Sequence, residues 1–172
     1  QVLKGHRIED PPPARIAFDL ALSLDDDNVV DEIASLAQGW HPRLVILDSL
    51  VDLLGDTDEN SNRDMGVVVK HLRLIPRATG ASVIAIHHTP KSNTATPRGA
   101  SALRNGVDVS IMVERKANML KLKQDKNRLG PEVEISARMR WEDGSFSLSA
   151  IGKPTSSAQG PQADVCTQVI KA

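Results

Sequence analysis

Two hydrophobic periods alternate along this chain, one typical of amphipathic helices and one of buried strands. Helical spacing runs from Val29 to Ala37, after N-cap candidates at Asp25–Asn28 and before a glycine C-cap at Gly39. A second helical pattern covers Met65–Thr79 and contains Pro76, which we expect to kink or shorten the helix. The first half of the chain therefore predicts two helices.

Short continuous apolar runs separate these helices. Leu44–Leu47 ends in Asp48, and Ala81–Ile86 ends in a pair of histidines. Such runs are typical of parallel strands that are buried on both faces. Arg15–Phe18 reads as a further short strand, and the polar residues 51–64 read as a loop.

The second half of the chain predicts mainly strands. A polar loop over residues 89–98 comes first, and a short helix at Ala100–Asn105 follows it. The pattern then predicts three strands and a hairpin partner for the last of them, at Val107–Glu114, Met119–Gln124, Val133–Trp141 and Ser145–Ser149. Asp143-Gly144 is the hairpin turn signal, and residues from Ile151 onward have the composition of a linker. The order predicts an α/β fold: a parallel sheet with helices, followed by an antiparallel meander.

Composition agrees with that fold and narrows its setting. The chain has 172 residues, enough for one domain, and only 2% aromatic residues, so Val, Ile, Leu and Ala must form the core. No apolar stretch is long enough to span a membrane, and no signal peptide is evident. A single cysteine, Cys166, excludes an internal disulfide framework and favours the cytoplasm.

Charge is unevenly distributed although the net charge is only −1. Residues 1–64 hold 14 acidic and 5 basic side chains, whereas residues 87–128 hold 9 basic and 3 acidic ones. The basic segment indicates either a surface that faces phosphate or nucleic acid, or an ordinary solvated face.

Chemically distinctive residues stand at the ends of the two predicted parallel strands, where ligands bind in such sheets. Asp48-Ser49 follows the first strand; an aspartate there holds the water shell of Mg²⁺ in P-loop enzymes, but it also caps turns in many buried strands. His87-His88 follows the second strand, and alternation lets only one histidine face a cleft. A single histidine in such a place is more often a core residue.

A third motif is Lys126-Asn127-Arg128, which precedes a Gly-Pro turn. Lys126 and Arg128 are two residues apart on a predicted strand, so they project to the same side. They point either toward the phosphates of a partner or simply into solvent.

Together these motifs have the order and spacing of a known family. From about Arg15 to Ser149 the chain resembles the AAA_25 or plasmid RepA-type branch of the RecA/DnaB-like ATPases, in the stretches LVILDSLVDLLGDTDENSN, GASVIAIHHTPK, RGASALRNGVDVSIMVERK and LKQDKNRLGP. The resemblance implies a RecA-like parallel sheet flanked by helices, with ATP and Mg²⁺ as cofactors. It also implies a homo-oligomeric ring, a hexamer, that acts on single-stranded DNA.

The resemblance assigns roles to individual residues. Asp48 would be the Walker B aspartate that holds Mg²⁺ through water, with Ser49 beside it at the nucleotide, and His88 would sense the γ-phosphate. Lys126 and Arg128 would reach across a subunit interface, where Arg128 would act as an arginine finger. Asp52–Arg63 and Pro90–Ser101 would be loops facing the pore, and the candidate DNA contacts are Arg63, Lys91, Arg98 and Arg104.

The sequence also departs from the family pattern. No G-x-x-x-x-G-K-[ST] occurs in the 172 residues, and the strand that carries the family's catalytic glutamate is absent too. We therefore expect residues 1–150 to form a partial ATPase core that alone binds and hydrolyses ATP poorly, and residues 151–172 to be a linker or tail. The predicted function is part of an ATP-driven, ring-forming DNA helicase or DNA-translocating ATPase of a plasmid, phage or mobile element. The alternatives are a catalytically dead regulatory or DNA-binding module and a plain α/β domain.

Overall fold

The computed structural model describes residues 13–18, 20–88 and 98–156. The chain forms two compact units, each described here by itself. One unit spans Ala17–Val107, and the other combines Asp108–Ala172 with Gln1–Ile16. The first unit holds helices and a parallel sheet, and the second holds an antiparallel meander. The predicted α/β class with a C-terminal meander is confirmed.

The first unit alternates helices and strands. Its elements are, in chain order, α1 (Val29–Ala37), β1 (Leu44–Asp48), a 3₁₀ turn (Val51–Leu53), α2 (Asn62–Thr79), β2 (Ser82–Ile86) and α3 (Arg98–Gly106). Strands β1 and β2 pair in parallel, with Leu44 opposite Ser82 and Asp48 opposite Ile86. Helix α2 is the crossover that a parallel pair requires.

Helix α2 begins earlier than the apolar pattern predicts. The predicted start was Met65, but the helix begins at Asn62 because Ser61 is its N-cap. The Ser61 hydroxyl accepts a hydrogen bond from the Asp64 backbone N–H at 3.3 Å, which satisfies one of the free donors of the first turn. Polar residues of a predicted loop therefore form the first helical turn.

Pro76 lies inside α2 and does not shorten it. The proline leaves the carbonyl of Leu72 without its helical donor, but it stands in the last turn, where few such bonds remain to be lost. The Thr79 hydroxyl donates to the Ile75 carbonyl at 2.8 Å, and Gly80 ends the helix in the left-handed conformation as predicted.

The core of the first unit lies between the helices and one face of the sheet. It consists of ten buried apolar residues, Leu24, Val29, Ile33, Leu47, Leu50, Leu54, Met65, Val68, Leu72 and Ile75. His71 is buried beside them, and its Nδ1 lies 2.8 Å from the carbonyl oxygen of Leu24. Because a carbonyl only accepts, Nδ1 is the donor, and this bond fastens the chain before α1 to helix α2.

The sheet of the first unit is buried on one face only. Val45, Leu47, Val83 and Ala85 turn toward the core. The alternate residues are exposed, namely Leu44, Ile46, Ile84 and Ile86, with exposed fractions between 37% and 55%. The prediction that both strands are buried on both faces is therefore wrong for the described residues, because helices cover only one side of the pair.

The predicted strand at Arg15–Phe18 is also not observed. Residues 13–18 have no regular secondary structure, and Ile16 and Phe18 are 75% and 77% exposed. A four-residue apolar segment forms a strand only where a neighbouring strand supplies hydrogen bonds, and no described strand pairs with it.

The second unit is a four-stranded antiparallel meander. Its strands follow one another in space as in sequence, β3 (Val109–Lys116), β4 (Met119–Asn127), β5 (Val133–Glu142) and β6 (Ser145–Ser156). Asp143 and Gly144 both have positive φ, 47° and 70°, as a two-residue hairpin of the mirror-image type requires. That predicted turn is confirmed.

Strand β6 continues to Ser156, past the predicted linker start at Ile151. The Lys, Pro and Thr residues of this stretch resembled a linker in composition, but Glu134 and Val133 of β5 pair with Thr155 and Ser156. Pairing with a neighbouring strand therefore overrides the composition. The division of the chain at residue 150 stays a prediction.

The segment after β1 is anchored to the segment before α1. The Leu24 N–H donates to the Leu53 carbonyl at 2.7 Å, and the Asp56 N–H donates to the Asp25 carboxylate at 3.1 Å. Gly55 lies against the same carboxylate with φ of +60°, and a Cβ built on it would lie 2.7 Å from Asp25 Oδ1. Only glycine fits this close approach without movement of its neighbours.

We expect Gly55→Ala to lower the free energy of unfolding by about 2–4 kcal/mol, from left-handed strain of about 1–2 kcal/mol together with the steric clash. Gly39→Ala is the matched control, because Gly39 has φ of +74° and nothing within 4 Å of a built Cβ. It should show the strain alone. Urea unfolding measures both, and equal losses would contradict the close approach.

Candidate functional site

The parallel register brings the two predicted strand ends to one edge of the sheet. Asp48 is the last residue of β1 and lies opposite Ile86, the last residue of β2, so the histidine pair follows directly beside Asp48. The Leu50 N–H donates to the Ile86 carbonyl at 2.6 Å and holds the two ends together. A strand-end carboxylate and a strand-end histidine therefore meet where parallel sheets bind ligands.

Burial distinguishes the two histidines. His88 is exposed and continues the alternation of the exposed residues Ile84 and Ile86. His87 is half-buried and continues the alternation of the residues that face the core. Asp48 is exposed in phase with Ile46, on the same face as His88. The structure thus makes His88 the accessible histidine at the sheet edge of Asp48, and its role as phosphate sensor stays a prediction.

His87 has a different environment. Its Nδ1 is buried and has no hydrogen-bond partner among the described residues. A polar atom in that condition costs free energy unless a group outside the described part of the chain, or water, satisfies it. His87 is therefore less accessible at the sheet edge than His88.

Ser49 is placed differently from Asp48. It is only 6% exposed, and its hydroxyl donates to Asp52 Oδ2 at 2.5 Å. The peptide bond between Asp48 and Ser49 is cis. In this structure Ser49 fastens the 3₁₀ turn to the end of β1, so the predicted nucleotide contact of Ser49 has no support in its present geometry. Asp52 is the residue that sequence reasoning missed, since acids in polar loops carry no distinguishing pattern.

The carboxylate of Asp48 fits a magnesium site of the predicted kind. It is exposed, and no described residue hydrogen-bonds to it. Mg²⁺ at phosphate-transfer sites is bound through one or two carboxylates, with substrate phosphates and water as the other ligands. The described residues contain no group of three or more potential metal ligands, so a second protein ligand is not evident among them.

The predicted DNA contacts fall on two helices that touch. Arg63 is exposed in the first turn of α2, and Arg104 is exposed in the last turn of α3. The Ser101 hydroxyl of α3 donates to Asn62 Oδ1 of α2 at 3.0 Å, which joins the two helices. Lys91 and the side chain of Arg98 lie outside the described residues.

Lys126 and Arg128 belong to the meander. Lys126 lies in β4 opposite Ser110 of β3 and is partly buried, and Arg128 follows the strand. Arg128 Nη1 is 3.2 Å from Asp108 Oδ1, in a pair whose side chains are 49% and 73% exposed. An ion pair this exposed contributes at most about 1 kcal/mol, so Arg128 can leave it at little cost.

Amide side chains hold the turn after Arg128. Asn127 Nδ2 donates to the Pro131 carbonyl at 3.0 Å, and the Leu129 N–H donates to Asn127 Oδ1 at 3.0 Å. Gln124 Oε1 accepts from the Val133 N–H at 3.0 Å. These bonds fix the backbone on both sides of Arg128. The Gly-Pro signal predicts the turn, but not the amide network that stiffens it.

The pKa of the Asp25 carboxyl group is lowered by its hydrogen bonds. The Ser23 hydroxyl, which donates to its carboxylate, holds the pKa of Asp25 below the ordinary value of 3.8, and the Asp56 N–H acts in the same direction. Burial opposes them, but the group is almost fully accessible to solvent, so its contribution to stability is small.

We expect Asp25→Asn to lower the melting temperature at neutral pH by no more than about 4 °C. A carboxylate whose folded pKa is lowered stabilises the fold above its unfolded pKa, and this contribution is lost as pH falls through the folded pKa. The difference from wild type should therefore shrink below about pH 4. Glu132→Gln, at an exposed carboxylate without a described hydrogen bond, should show no such pH dependence.

Comparison with known proteins agrees with this geometry. The chain is similar to a solved structure titled "The Structure Of A DnaB-Like Replicative Helicase And Its Interactions With Primase", with a TM-score of 0.54 and 19% identity. The match covers 75% of this chain and 36% of that one. At this identity the likeness shows the fold alone. None of the curated proteins compared matches the chain.

A family profile is more decisive than that structural match. The family AAA_25, described as an AAA domain, matches residues 5–94, a little more than half of the chain. The matched range includes β1, β2 and both strand-end motifs. This chain belongs to the AAA_25 family of AAA domains.

Proposed function

We propose that this chain is part of an ATP-driven, ring-forming DNA helicase or DNA-translocating ATPase of the plasmid, phage or mobile-element replication type. The observation that carries the proposal is the parallel register of β1 and β2, which sets Asp48 and His88 on one face at one sheet edge. Membership of the AAA_25 family and the DnaB-like fold support it. No described helix is long and apolar enough to cross a membrane.

In the proposed reaction, Asp48 holds the water shell of a magnesium ion. A magnesium ion held there would supply positive charge against the phosphoryl group being transferred. The strand fixes the carboxylate, so little reorganisation is needed when charge shifts between phosphates. His88, exposed beside it, donates a hydrogen bond to a phosphate oxygen and reports whether the γ-phosphate is present.

Lys126 and Arg128 complete the site of a neighbouring subunit in this proposal. The hydrogen bonds of Asn127 hold the backbone of the turn at Arg128. In the absence of a neighbouring subunit, the Arg128 guanidinium is paired weakly with Asp108. The triphosphate carries more negative charge than a carboxylate, and the pair with Asp108 is exposed and weak, so the phosphates outcompete Asp108 for the guanidinium. A hexameric ring supplies such interfaces.

Single-stranded DNA is the proposed substrate of the motor. Arg63 and Arg104 stand on joined helices, and Lys91 and Arg98 lie between them in the sequence. Phosphate contacts from such residues give binding that is strong at low salt and independent of sequence.

The alternative is a regulatory or DNA-binding module without catalysis. No G-x-x-x-x-G-K-[ST] occurs within these 172 residues. Reading the coding sequence upstream of Gln1 separates the two. A strand followed by G-x-x-x-x-G-K-[ST] would support the ATP-driven motor, and a start codon near Gln1 would support the regulatory or DNA-binding module.

We expect Arg128→Ala subunits to poison the ATPase of wild-type rings when the two are mixed, using the polypeptide that includes the phosphate-binding loop. An arginine finger that acts in trans is needed for hydrolysis at the neighbour's site. Where the sites of a ring act in sequence, one disabled site stalls the ring, so activity falls more steeply than the share of altered subunits. Asp108→Ala is the matched control: it removes the same ion pair but keeps Arg128. If ATPase activity falls only in proportion to the share of altered subunits, and the Arg128→Ala and Asp108→Ala variants behave alike, the role of Arg128 in trans is contradicted.

For DNA, we expect Arg63→Ala with Arg104→Ala to reduce the salt dependence of single-strand binding. Each lost phosphate contact lowers the slope of log K against log salt by about 0.7. Arg73→Ala with Arg77→Ala, at exposed positions of α2, changes the net charge equally and should leave the slope near that of wild type. Fluorescence anisotropy of labelled oligothymidylate measures both.

A further inference from the structure

The four-stranded meander has one apolar and one polar face. Residues that lie opposite each other in the strand register share a face, so the register assigns each side chain. One face carries the apolar residues, among them Leu122, Ile135, Met139, Trp141, Phe146 and Leu148. The other face carries most of the charged and hydroxyl residues together with Met112, Met119 and Ile151, and its cations are Lys116, Lys121, Lys123, Arg138 and Arg140.

Three of these cations form one cluster with two serines. Lys116, Met119, Arg138 and Ser149 lie opposite one another across all four strands and form a single row. In the next row, Arg140 lies opposite Ser147. We call Lys116, Arg138, Arg140, Ser147 and Ser149 the arginine–serine patch.

Two carboxylates border this patch on the same face: Glu114 is two residues before Lys116 on β3, and Glu142 is two residues after Arg140 on β5. Glu114 and Glu134 flank Lys121, which bonds Glu134 Oε1 at 3.0 Å. No carboxylate lies directly opposite Arg138 or Arg140, whose cross-strand partners are Met119, Ser149 and Ser147. The ion pairs of the described residues do not include Lys116, Arg138 or Arg140.

We propose that the arginine–serine patch binds the phosphate backbone of single-stranded DNA. The choice of DNA as the polyanion rests on the proposed function. Like charges held side by side on a sheet repel each other, and a polyanion removes that repulsion. The patch is exposed at Arg138, Arg140, Lys116 and Ser149, so it is accessible in this chain.

The spacing of the patch suits successive phosphates. Arg138 and Arg140 are two residues apart on one strand, about 7 Å along the chain, and both side chains stand on the same face. Each guanidinium binds a separate phosphate through a planar fork of donors. The hydroxyls of Ser147 and Ser149, on the neighbouring strand, donate to the same oxygens, as serines do in many phosphate contacts.

The patch reads the backbone and not the bases. The aromatic pair of the meander, Trp141 and Phe146, has ring centroids 4.4 Å apart and lies on the opposite face. No aromatic residue stands on the polar face of the described strands to stack a base. Binding at this patch is therefore independent of sequence.

The test uses the full chain with Arg138→Gln and Arg140→Gln together, in anisotropy titrations of labelled oligothymidylate over a range of salt. We expect an affinity loss of about tenfold or more at low salt and a slope smaller by about 1.4, for two lost phosphate contacts. Arg73→Gln with Arg77→Gln removes the same charge from helix α2 and should have a much smaller effect. An oligonucleotide with an uncharged backbone should bind wild type and the Arg138/Arg140 variant equally weakly.

The outcomes separate this inference from the proposed function. If the Arg138/Arg140 variant behaves like the helix control while the Arg63/Arg104 variant weakens binding, the patch is overturned and the motor stands. If the patch variant weakens binding and the Arg63/Arg104 variant does not, the patch is supported and the helix contacts fail. A wild-type chain that does not bind oligothymidylate at low salt overturns both. Circular dichroism melting of each variant excludes loss of the fold as the cause.

Discussion

The parallel pairing of β1 with β2 is the constraint on which the first unit depends. Parallel strands need a crossover between them, and helix α2 supplies it while also covering the inner face of the sheet. The same pairing carries Asp48 and the histidine pair to one edge. If one of the two strands slipped by one residue, its residue of the Asp48–His88 pair would turn to the core side, and the two groups would lie on opposite faces, unable to share a ligand. Packing and chemistry therefore depend on the same set of backbone hydrogen bonds.

Local anchors make this edge well defined. The Leu50 N–H closes onto the end of β2, Ser49 bonds Asp52, and the segment at Gly55 lies on Asp25. Each bond is modest by itself, since a typical hydrogen bond contributes about 1 kcal/mol net. Together they hold the chain after β1 against the chain before α1, where an uncapped polar segment would otherwise be mobile.

Sequence periodicity predicted the helices, the parallel strands and the meander because each depends on local spacing. Sequence periodicity does not predict features that depend on residues far away in the chain, such as burial of the second face of a sheet. The apolar run Leu44–Leu47 was expected to be buried on both faces, but coverage of the outer face depends on a neighbour that no local pattern reveals. The capping serine at Ser61 and the pairing of Thr155 with Glu134 were missed because composition concealed them. At the sheet edge, the positions of Asp48 and the histidine pair could be predicted from the strand ends, and the choice of His88 came from the resemblance. The Asp52 and Asp108 contacts could not be predicted, since acids pair wherever the fold brings them.

The exposed outer face of the β1–β2 sheet has a practical consequence for the chain in solution. Leu44, Ile46, Ile84 and Ile86 form an apolar surface beside strand edges that no described strand pairs. Surfaces of this kind recruit other chains through strand addition and apolar contact. Self-association of the isolated polypeptide should therefore rise with concentration and with salts that strengthen apolar burial, in contrast to DNA binding, which salt weakens. Ionic strength is thus a control that moves aggregation and nucleic-acid binding in opposite directions.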